Sequence, residues 1–356
     1  MLSRSQSRQR TRGSSLAHLP ALRPLGCCYL DHWFARALHR YLLRVSVSVI
    51  VMGQVARDLV LKVDEMPGAG GSSSVVERIE ILGGKGANQA LAAAQLGAAV
   101  GVVGVVGGDT AGDDAIARAT DDGIDVRHVV RHPGPTALLV DVVDAAANNR
   151  LLEYVPDEML VTPADVYAAE NAIRTSGMVL VQLQQPPAAC LAAVEIARRH
   201  GCRVVLDGAV TDGPERRQLL AGSDVLRADS HEAELMVGRR IESVSDAVSA
   251  ARVLAGFGPK IVVLAVGATS NVAVAAEMTL AARNLPVDVV DPTGGGDSFV
   301  AVLAVSLARG DAIPDGLRAA TASAALTVAR LGGRPQLSSL DIAELSQRVQ
   351  LIHMQD

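Results

Sequence analysis

The chain has 356 residues, of which 49% are hydrophobic and 20% charged, and its formal net charge is −5. This composition excludes a disordered, fibrous or broadly basic protein and suits one large globular domain or two small ones. The charge is uneven, because residues 1–44 hold eight arginines against one acid. The rest of the chain is therefore clearly acidic and offers no basic face to a nucleic acid.

The first 44 residues are interpreted as a separate arginine-rich extension. An over-extended start site or a disordered tail explains it most simply; a targeting segment, or a basic patch that attracts nucleic acid or membrane, is the alternative. The four cysteines of the chain have no metal-type spacing. Cys190 and Cys202 are therefore predicted to be buried thiols in a reducing compartment, and we expect a cytoplasmic protein.

From residue 45 onward, β-branched runs alternate with alanine-rich helical stretches. The predicted strands are 45–52, 100–106, 177–183, 204–207, 225–228 and 260–266. The predicted helices are 87–96, 163–174, 187–200, 245–256 and one that ends near residue 308. This alternation predicts an α/β fold with a doubly wound, mostly parallel central sheet and helices on both faces. Functional loops should lie at the carboxyl ends of its strands.

Two regions interrupt this alternation, near residues 59–82 and 136–155. Each contains short strands with interspersed polar residues and no helix between them, which predicts a small β-sheet lid on the main body. The main domain is expected over 45–345 and a C-terminal tail over 346–356. No membrane span is predicted, because glycines divide the apolar stretch 90–108 into a helix and a strand that are each too short to cross a bilayer.

The strongest local signal is DPTGGGDSF, Asp291–Phe299, which leads from an extended segment at 287–290 into an apolar helix. Its three consecutive glycines leave bare backbone N–H groups at a helix N-terminus, where the unpaired donors and the helix dipole favour an anion. Two interpretations of Asp297 stay open. It is either the N-cap of the helix or a general base that accepts a hydroxyl proton during phosphoryl transfer.

A second glycine-rich turn, GGKGAN at Gly83–Asn88, also opens a helix and carries one of only three lysines in the chain. It is not a Walker A motif, which needs four residues between its first glycine and Gly-Lys-Ser/Thr. It is not a dinucleotide-binding G-x-G-x-x-G turn either. On its own, the turn could also be a close contact between a helix and a sheet.

Together, the two segments resemble the two signatures of the ribokinase-like (PfkB) family of carbohydrate kinases, in the family's order and at its usual separation. The resemblance runs from about residue 45 to residue 340. It implies a ribokinase-like fold and an enzyme that uses ATP and Mg²⁺ to phosphorylate a hydroxymethyl group, with D-ribose as the default acceptor. It also implies small-molecule partners, no nucleic acid or membrane, and a homodimer formed through the lid.

The resemblance also implies roles for individual residues. It makes Asp297 the catalytic base and assigns the stabilisation of developing charge to the amides of Gly294, Gly295 and Gly296. The residues at sugar-binding positions are Asp58, Gly84, Lys85, Asn88 and Gln184. The residues at nucleotide-binding positions are Asp207, Asp229, Gly267 and Gly332. Glu232 matches a position that organises Mg²⁺ through water, and Asp291 with the Thr293 backbone matches part of a site where many members hold K⁺.

Several of these positions depart from the family's pattern. Aspartate replaces asparagine at Asp207 and Asp229, Gln184 replaces a glutamate, and Ala56 replaces an asparagine near Asp58. Lost polar partners should change which sugar hydroxyls are paired, since an unpaired buried hydroxyl costs about 1–3 kcal/mol. The acceptor therefore stays open. One alternative acceptor is a phosphosugar whose phosphate contacts Arg57. Another is an adenosine-type nucleoside, although few aromatic residues are available to stack on its base. A third alternative is that the protein is a non-catalytic relative that senses a sugar or a nucleotide.

Overall fold

The computed structural model describes residues 47–210 and 212–354. The strands are β1 Ser48–Met52, β2 Ala56–Val63, β3 Val75–Gly83, β4 Ala99–Gly107, β5 Asp125–His132, β6 Leu138–Val143, β7 Asn149–Tyr154, β8 Met178–Gln182, β9 Arg203–Asp207, β10 Val225–Ala228, β11 Ile261–Val266, β12 Ser270–Ala275, β13 Met278–Arg283 and β14 Leu351–His353. The helices are α1 Lys85–Gln95, α2 Thr110–Asp121, α3 Pro163–Ala168, α4 Glu170–Arg174, α5 Pro187–Arg199, α6 Arg216–Ala221, α7 Ser230–Val237, α8 Val244–Ala255, α9 Gly295–Ala308, α10 Ile313–Val328 and α11 Ser339–Ser346. The predicted extension over 1–44 lies outside the described residues.

Ten strands form the central sheet in the order β14-β13-β12-β11-β10-β9-β8-β1-β4-β5. All neighbours from β5 to β11 are parallel. The strands from β11 to β14 pair antiparallel. The predicted mostly parallel sheet is confirmed, and an antiparallel edge that the sequence analysis did not identify extends it. The residues expected to form a C-terminal tail include β14, which pairs with β13.

Helices cover both faces of this sheet, so that neighbouring residues of one strand enter two different cores. In β1, Ile50 and Met52 belong to the core under α3 to α8, whereas Val49 and Val51 belong to the core under α1, α2 and α9 to α11. Strands that are buried on both faces read as nearly continuous apolar runs, because no position faces solvent. This burial explains why the central strands could be located from the sequence.

The second sheet is the lid, with the strand order β3-β2-β6-β7. β2 and β6 are parallel, and each pairs antiparallel with its outer neighbour. Alternation along β2 and β6 gives the lid an inner face of buried side chains. The inner residues of these two strands are Ala56, Asp58, Val60, Val63, Leu139, Asp141 and Val143. The predicted lid is therefore present, with two carboxylates on its inner face.

Local details differ from the predictions at one place. The helix predicted over 163–174 is divided, because the Ala169 amide donates to the carbonyls of both Asp165 (3.2 Å) and Val166 (3.1 Å) and the chain tightens into a turn. The segment 287–290, predicted to be extended, belongs to no strand, and its Val290 amide donates to the Val328 carbonyl at 2.9 Å.

The predicted burial of two cysteines is confirmed. Cys190 and Cys202 are buried free thiols, and burial raises the pKa of Cys190 to about 12. This protonated, enclosed state is that of a structural thiol rather than a reactive one. Across the described ranges, no helix is long and apolar enough to cross a membrane.

Candidate active site

Residues from both glycine-rich motifs converge at the carboxyl ends of the parallel strands. Asp207 ends β9, Asp229 follows β10 and Gly267 follows β11. The first turns of α1 and α9 reach the same edge, where Asn88 contacts Asp297. Ligands of open α/β sheets bind at this edge. The structure therefore places residues of the two motifs, which are distant in sequence, in one cleft.

The turn before α9 holds its amides free for an anion. Gly294 is the N-cap with φ +73°, and a Cβ there would lie 1.8 Å from the Gly333 carbonyl oxygen, so the turn requires glycine. The first hydrogen bond of the helix runs from the Ser298 amide to the Gly294 carbonyl at 3.0 Å. The amides of residues 295–297 precede that bond and form the free N-terminus of the helix.

Asp297 lies in the first turn of α9 without capping it, so the capping interpretation is wrong. Its Oδ1 accepts a hydrogen bond from Gln89 Nε2 at 3.2 Å, and its Oδ2 accepts one from Asn88 Nδ2 at 3.4 Å. Burial raises the pKa of Asp297 to about 6, and the nearby Lys85 ammonium acts against that rise. A carboxylate with a pKa near the operating pH has the property that a general base needs.

The second glycine turn presses α1 against the segment that follows β1. A Cβ at Gly84, where φ is +84°, would lie 2.7 Å from the Gln54 carbonyl oxygen, and a Cβ at Gly86 would lie 2.6 Å from the Gly53 carbonyl carbon. This turn is therefore a close helix–sheet contact. The same contact brings Asn88 beside Asp297, so packing and site geometry depend on the same glycines.

Asp58 enters the cleft from the lid and lies directly over Gly83, where a Cβ would be 1.8 Å from its carboxylate. It is 6% exposed. Burial first, and then the charges of Asp297 and Asp141, raise the pKa of Asp58 to about 8. Its Oδ1 has no hydrogen-bond partner among the described residues. An acceptor thus remains available to a ligand hydroxyl.

Asp141, on β6 of the lid, is a site residue that the sequence analysis missed. It is 3% exposed, its Oδ2 accepts a hydrogen bond from Thr293 Oγ1 at 2.6 Å, and burial raises its pKa to about 6. Its Oδ1 is unpartnered in the described part of the chain. The available signal was an aspartate at an inward position of an alternating apolar strand, where a charge is rarely buried without a partner.

Charged residues at the other end of the cleft are tied to α7. Lys85 Nζ lies 3.3 Å from Glu232 Oε1. The Asp229 amide donates to Glu232 Oε2, and the Glu232 amide donates to Asp229 Oδ1, both at 2.8 Å. This reciprocal pair is a capping box, so the aspartate at position 229 keeps the cap of α7. Lys85, expected at the sugar, pairs with the residue expected to organise Mg²⁺.

Gln89 and Arg227 are two further buried residues of the cleft that the sequence analysis missed. Gln89 Nε2 donates to Asp207 Oδ2 at 2.8 Å as well as to Asp297. Arg227 Nη1 donates to Asp207 Oδ1 at 3.1 Å. The sequence signal was an arginine within the apolar strand 225–228, since a buried charge at such a position needs a partner.

Asp291 and Gly267 hold the loops around the cleft. The fully buried Asp291 accepts the Thr293 amide at 2.9 Å and the Gly332 amide at 2.8 Å, which ties the glycine turn to the segment after α10. The Gly267 amide donates to Ser230 Oγ at 2.8 Å, which ties the β11–β12 turn to α7. Both contacts place these residues at the edge of the cleft.

Two candidates make no hydrogen bond to the buried carboxylates of the cleft. Gln184 is exposed and accepts a hydrogen bond from Gln182 Nε2 at 2.9 Å, and no hydrogen bond among the described residues joins it to Asp58 or Asp297. Arg57 alternates with Asp58 along β2 and therefore lies on the outer face of the lid. There its Nη2 is 2.9 Å from Glu80 Oε2.

The donor set for a metal is small. Within 47–210 and 212–354, no group of three or more His, Cys, Asp or Glu side chains could hold a metal ion on its own. Mg²⁺ in phosphoryl-transfer sites is bound by one or two carboxylates together with substrate phosphates and water. Glu232, with its side chain 12% exposed, is a carboxylate of that kind.

Comparison with known proteins agrees with this geometry. The sequence pattern of the PfkB family carbohydrate kinases matches residues 47–340. The chain is 29% identical to ribokinase of Mus musculus over 267 residues, or 74% of this chain and 82% of that protein. It is 24% identical to deoxyribokinase of Salmonella typhi over 300 residues, or 83% and 97% of the two chains. The structure of Arabidopsis thaliana ribokinase complexed with ribose and ATP matches with a TM-score of 0.72 at 25% identity, over 85% of this chain and 99% of that one.

The chain therefore belongs to the PfkB family of carbohydrate kinases. It is a phosphotransferase whose acceptor is a sugar hydroxyl. The resemblance carried by the two glycine-rich motifs is confirmed, and the ribokinase-like fold with it.

Proposed function

We propose that the protein transfers the terminal phosphoryl group of ATP to the hydroxymethyl group of a sugar, with D-ribose as the default acceptor. The observation that carries this proposal is the buried Asp297 carboxylate beside the free amides at the start of α9, in contact with Asn88 of the other motif. The similarity to ribokinases, one of them solved with ribose and ATP, supports it.

In this proposal the sugar hydroxymethyl group lies between Asp297 and the terminal phosphate. Asp297 takes the hydroxyl proton while the oxygen–phosphorus bond forms and the bond to the leaving oxygen of ADP breaks. The amides of Gly294, Gly295 and Gly296 stabilise the charge that builds on the transferred group. Because the pKa of Asp297 is about 6, most of its carboxylate is ready to accept a proton at pH 7.

The sugar is bound between the lid and α1. Asp58 accepts hydrogen bonds from two sugar hydroxyls, and Asn88 offers both a donor and an acceptor. The inner face of the lid excludes water, which limits hydrolysis of ATP. Asp207, Asp229, Gly267 and Gly332 surround the nucleotide end, and Gln184 has the weakest support because it is exposed.

Two cations complete the proposal. Glu232 would hold Mg²⁺ through water, and Mg²⁺ supplies neutralisation of the phosphate charge when bound. Asp291 and the Thr293 backbone would hold part of a K⁺ site beside the glycine turn. The buried carboxylate of Asp291 supports that assignment, although both of its oxygens already accept backbone amides.

We also propose a homodimer formed through the outer face of the lid, in the cytoplasm. Leu59, Val140 and Leu152 are register neighbours across β2, β6 and β7 on that face, and Leu152 is 64% exposed. Exposed apolar side chains that cluster on one face of a sheet are typical of an interaction surface. Light scattering should give twice the chain mass for the wild type and a monomer for Leu152→Glu.

The function is tested with a panel of acceptors incubated with Mg²⁺ and ATP and followed by ADP release. The panel holds ribose, deoxyribose, hexoses, phosphosugars and nucleosides; the phosphosugars and nucleosides belong to interpretations that the sequence left open. Sugar-dependent ADP release and a phosphate on the hydroxymethyl carbon of ribose are expected. Turnover with nucleosides or phosphosugars alone would replace the proposed acceptor, and no turnover with any compound would refute the proposal.

A further inference from the structure

Arg227 carries a buried charge that the proposed function does not use. It lies opposite Asp207 in the register of β9 and β10 and is 8% exposed. Its Nη1 donates to Asp207 Oδ1 at 3.1 Å, whereas its Nε has no hydrogen-bond partner in the described residues. A buried donor without a partner destabilises the folded state. The unpartnered Nε therefore indicates a partner that arrives with a ligand.

The guanidinium of Arg227 lies against the glycine turn. A Cβ at Gly296 would be 2.7 Å from Arg227 Nη2 and 2.8 Å from Nη1. Gly296 is one of the residues whose amides precede the first hydrogen bond of α9. The missing side chain thus gives the guanidinium access to the turn, and a cation and free amides lie side by side. Such a combination is typical of sites that stabilise a transferring phosphoryl group.

The charges around Arg227 hold it in this position. Asp207, Glu232 and Asp229 attract the guanidinium, and Lys85 is a second cation in the same cleft. Asp207 occupies one side of the planar fork, and Gln89 links Asp207 to Asp297. The fork is therefore fixed on the side of Nη1, whereas Nε is a buried donor without a partner among the described residues.

We propose that Arg227 is a catalytic residue that binds the terminal phosphate of ATP through Nε and Nη2, and that Asp207 is the residue that positions it. The inference rests on the proposed function, since it assigns the phosphate donor to the same cleft. A guanidinium edge matches two phosphate oxygens in a bidentate geometry that an ammonium cannot reproduce. Arg227 exchanges no proton; it offsets negative charge on the phosphoryl oxygens while the bonds at phosphorus change.

The test compares nucleotides that differ in the terminal phosphate. In calorimetric titrations, Arg227→Met should weaken a non-hydrolysable ATP analogue at least about tenfold and change ADP affinity by less than about threefold. Its kcat should fall by about 10²-fold or more, with sugar KM within about threefold, as for the loss of a donor to a developing anion. Arg227→Lys should recover part of the analogue affinity through its charge and little of kcat.

Two further variants keep the test decisive. The double variant Asp207→Asn with Arg227→Met also removes the Asp207 carboxylate, which Arg227→Met alone leaves unpaired. If the single variant does not fold, the titrations are made with the double variant. Arg203→Met changes an arginine at the opposite end of β9 and should leave both affinities unchanged. Equal weakening of ADP and the analogue, or weakening of neither, would overturn the role of Arg227. A wild type that binds the analogue through Arg227 but phosphorylates no sugar would refute the proposed function alone.

Discussion

The glycine turn before α9 and the lid contribute to one cleft in different ways. The turn is a continuous segment, and its geometry is local: a left-handed Gly294, amides ahead of the first helical hydrogen bond, and Asp297 in the same turn. The lid supplies Asp58 and Asp141 from separate strands, which share a face only through the register of β2 and β6. The residues proposed for the reaction are thus consecutive in sequence, whereas those proposed for substrate recognition come together only through strand pairing.

The two regions also differ in the state of their carboxylates. Burial raises the pKa of Asp297 to about 6, and the charge of Lys85 and the hydrogen bond from Gln89 offset part of this rise. The pKa of Asp58 reaches about 8, because burial is reinforced by the charges of Asp297, Asp141 and Asp291. The carboxylates of the lid therefore repel one another, whereas the carboxylate of the turn is mostly ionised at pH 7.

The largest effect is expected at the turn. Asp297→Asn removes the proton acceptor without changing shape, so kcat should fall by about 10²–10⁴-fold while sugar affinity stays close to that of the wild type. Steady-state kinetics and sugar titration measure the two quantities. The matched control is Asp315→Asn, because Asp315 is an exposed acid at the corresponding first-turn position of α10. A variant at Asp297 with near-wild-type kcat would contradict the base assignment.

The next largest effect is expected at Gly294, where a comparison of two glycine variants separates the close contact of the turn from its backbone strain. Gly294→Ala places a Cβ against the Gly333 carbonyl at a position with φ +73°, so the turn must move and kcat should fall at least about tenfold. Gly310→Ala is the control, since Gly310 has φ +81° and open space around its Cβ. Its left-handed backbone alone should cost about 1–2 kcal/mol of stability. Equal loss of stability and activity in the two variants would show that strain, not the close contact, governs the turn.

The sequence predicted the features that depend on neighbouring residues and missed those that depend on contacts between distant segments. The central strands, the lid and both glycine turns were located, because buried apolar runs and glycine-rich helix starts are local signals. The antiparallel edge of β12 to β14 was not identified from local pattern. Asp141, Gln89 and Arg227 were missed, because their roles depend on residues that only the fold brings close. Gln184 was placed by motif position, and the loop after β8 turns it to solvent.

The repulsion between Asp58 and the neighbouring carboxylates should make the stability of the protein depend on pH. Because the pKa of Asp58 is about 8 in the folded protein, against 3.8 for an unperturbed aspartate, the folded state holds the proton more tightly. The stability of the ligand-free protein should therefore fall as pH rises from about 4 to 8. Asp58→Asn should flatten this slope and unfold at a higher temperature than the wild type at pH 8, while sugar affinity is lost.

Thermal unfolding at several pH values measures this effect, and a second lid aspartate serves as its control. Asp144 lies in the exposed turn between β6 and β7, where hydrogen bonds from Asn148 hold its pKa below the usual range. The effect of Asp144 on stability has the opposite sign, because its stabilising contribution is present above pH 3.8 and is lost as the pH falls. Asp144→Asn should leave the downward slope at higher pH intact. Parallel unfolding curves for Asp58→Asn and the wild type would show that Asp58 is not the source.

The smallest effect is expected one residue away from Asp58. Arg57 points to the outer face of the lid, where its ion pair with Glu80 is exposed enough that such pairs contribute about 0.2–1 kcal/mol. Arg57→Ala should leave the sugar KM unchanged within about twofold, and Arg78→Ala, which removes another cation from Glu80, should behave alike. An increase in KM for a phosphosugar but not for ribose in Arg57→Ala alone would mean that the outer face contacts substrate. Because Asp58 and Arg57 are adjacent in sequence, the contrast between their variants measures how strictly strand alternation separates recognition from the lid surface.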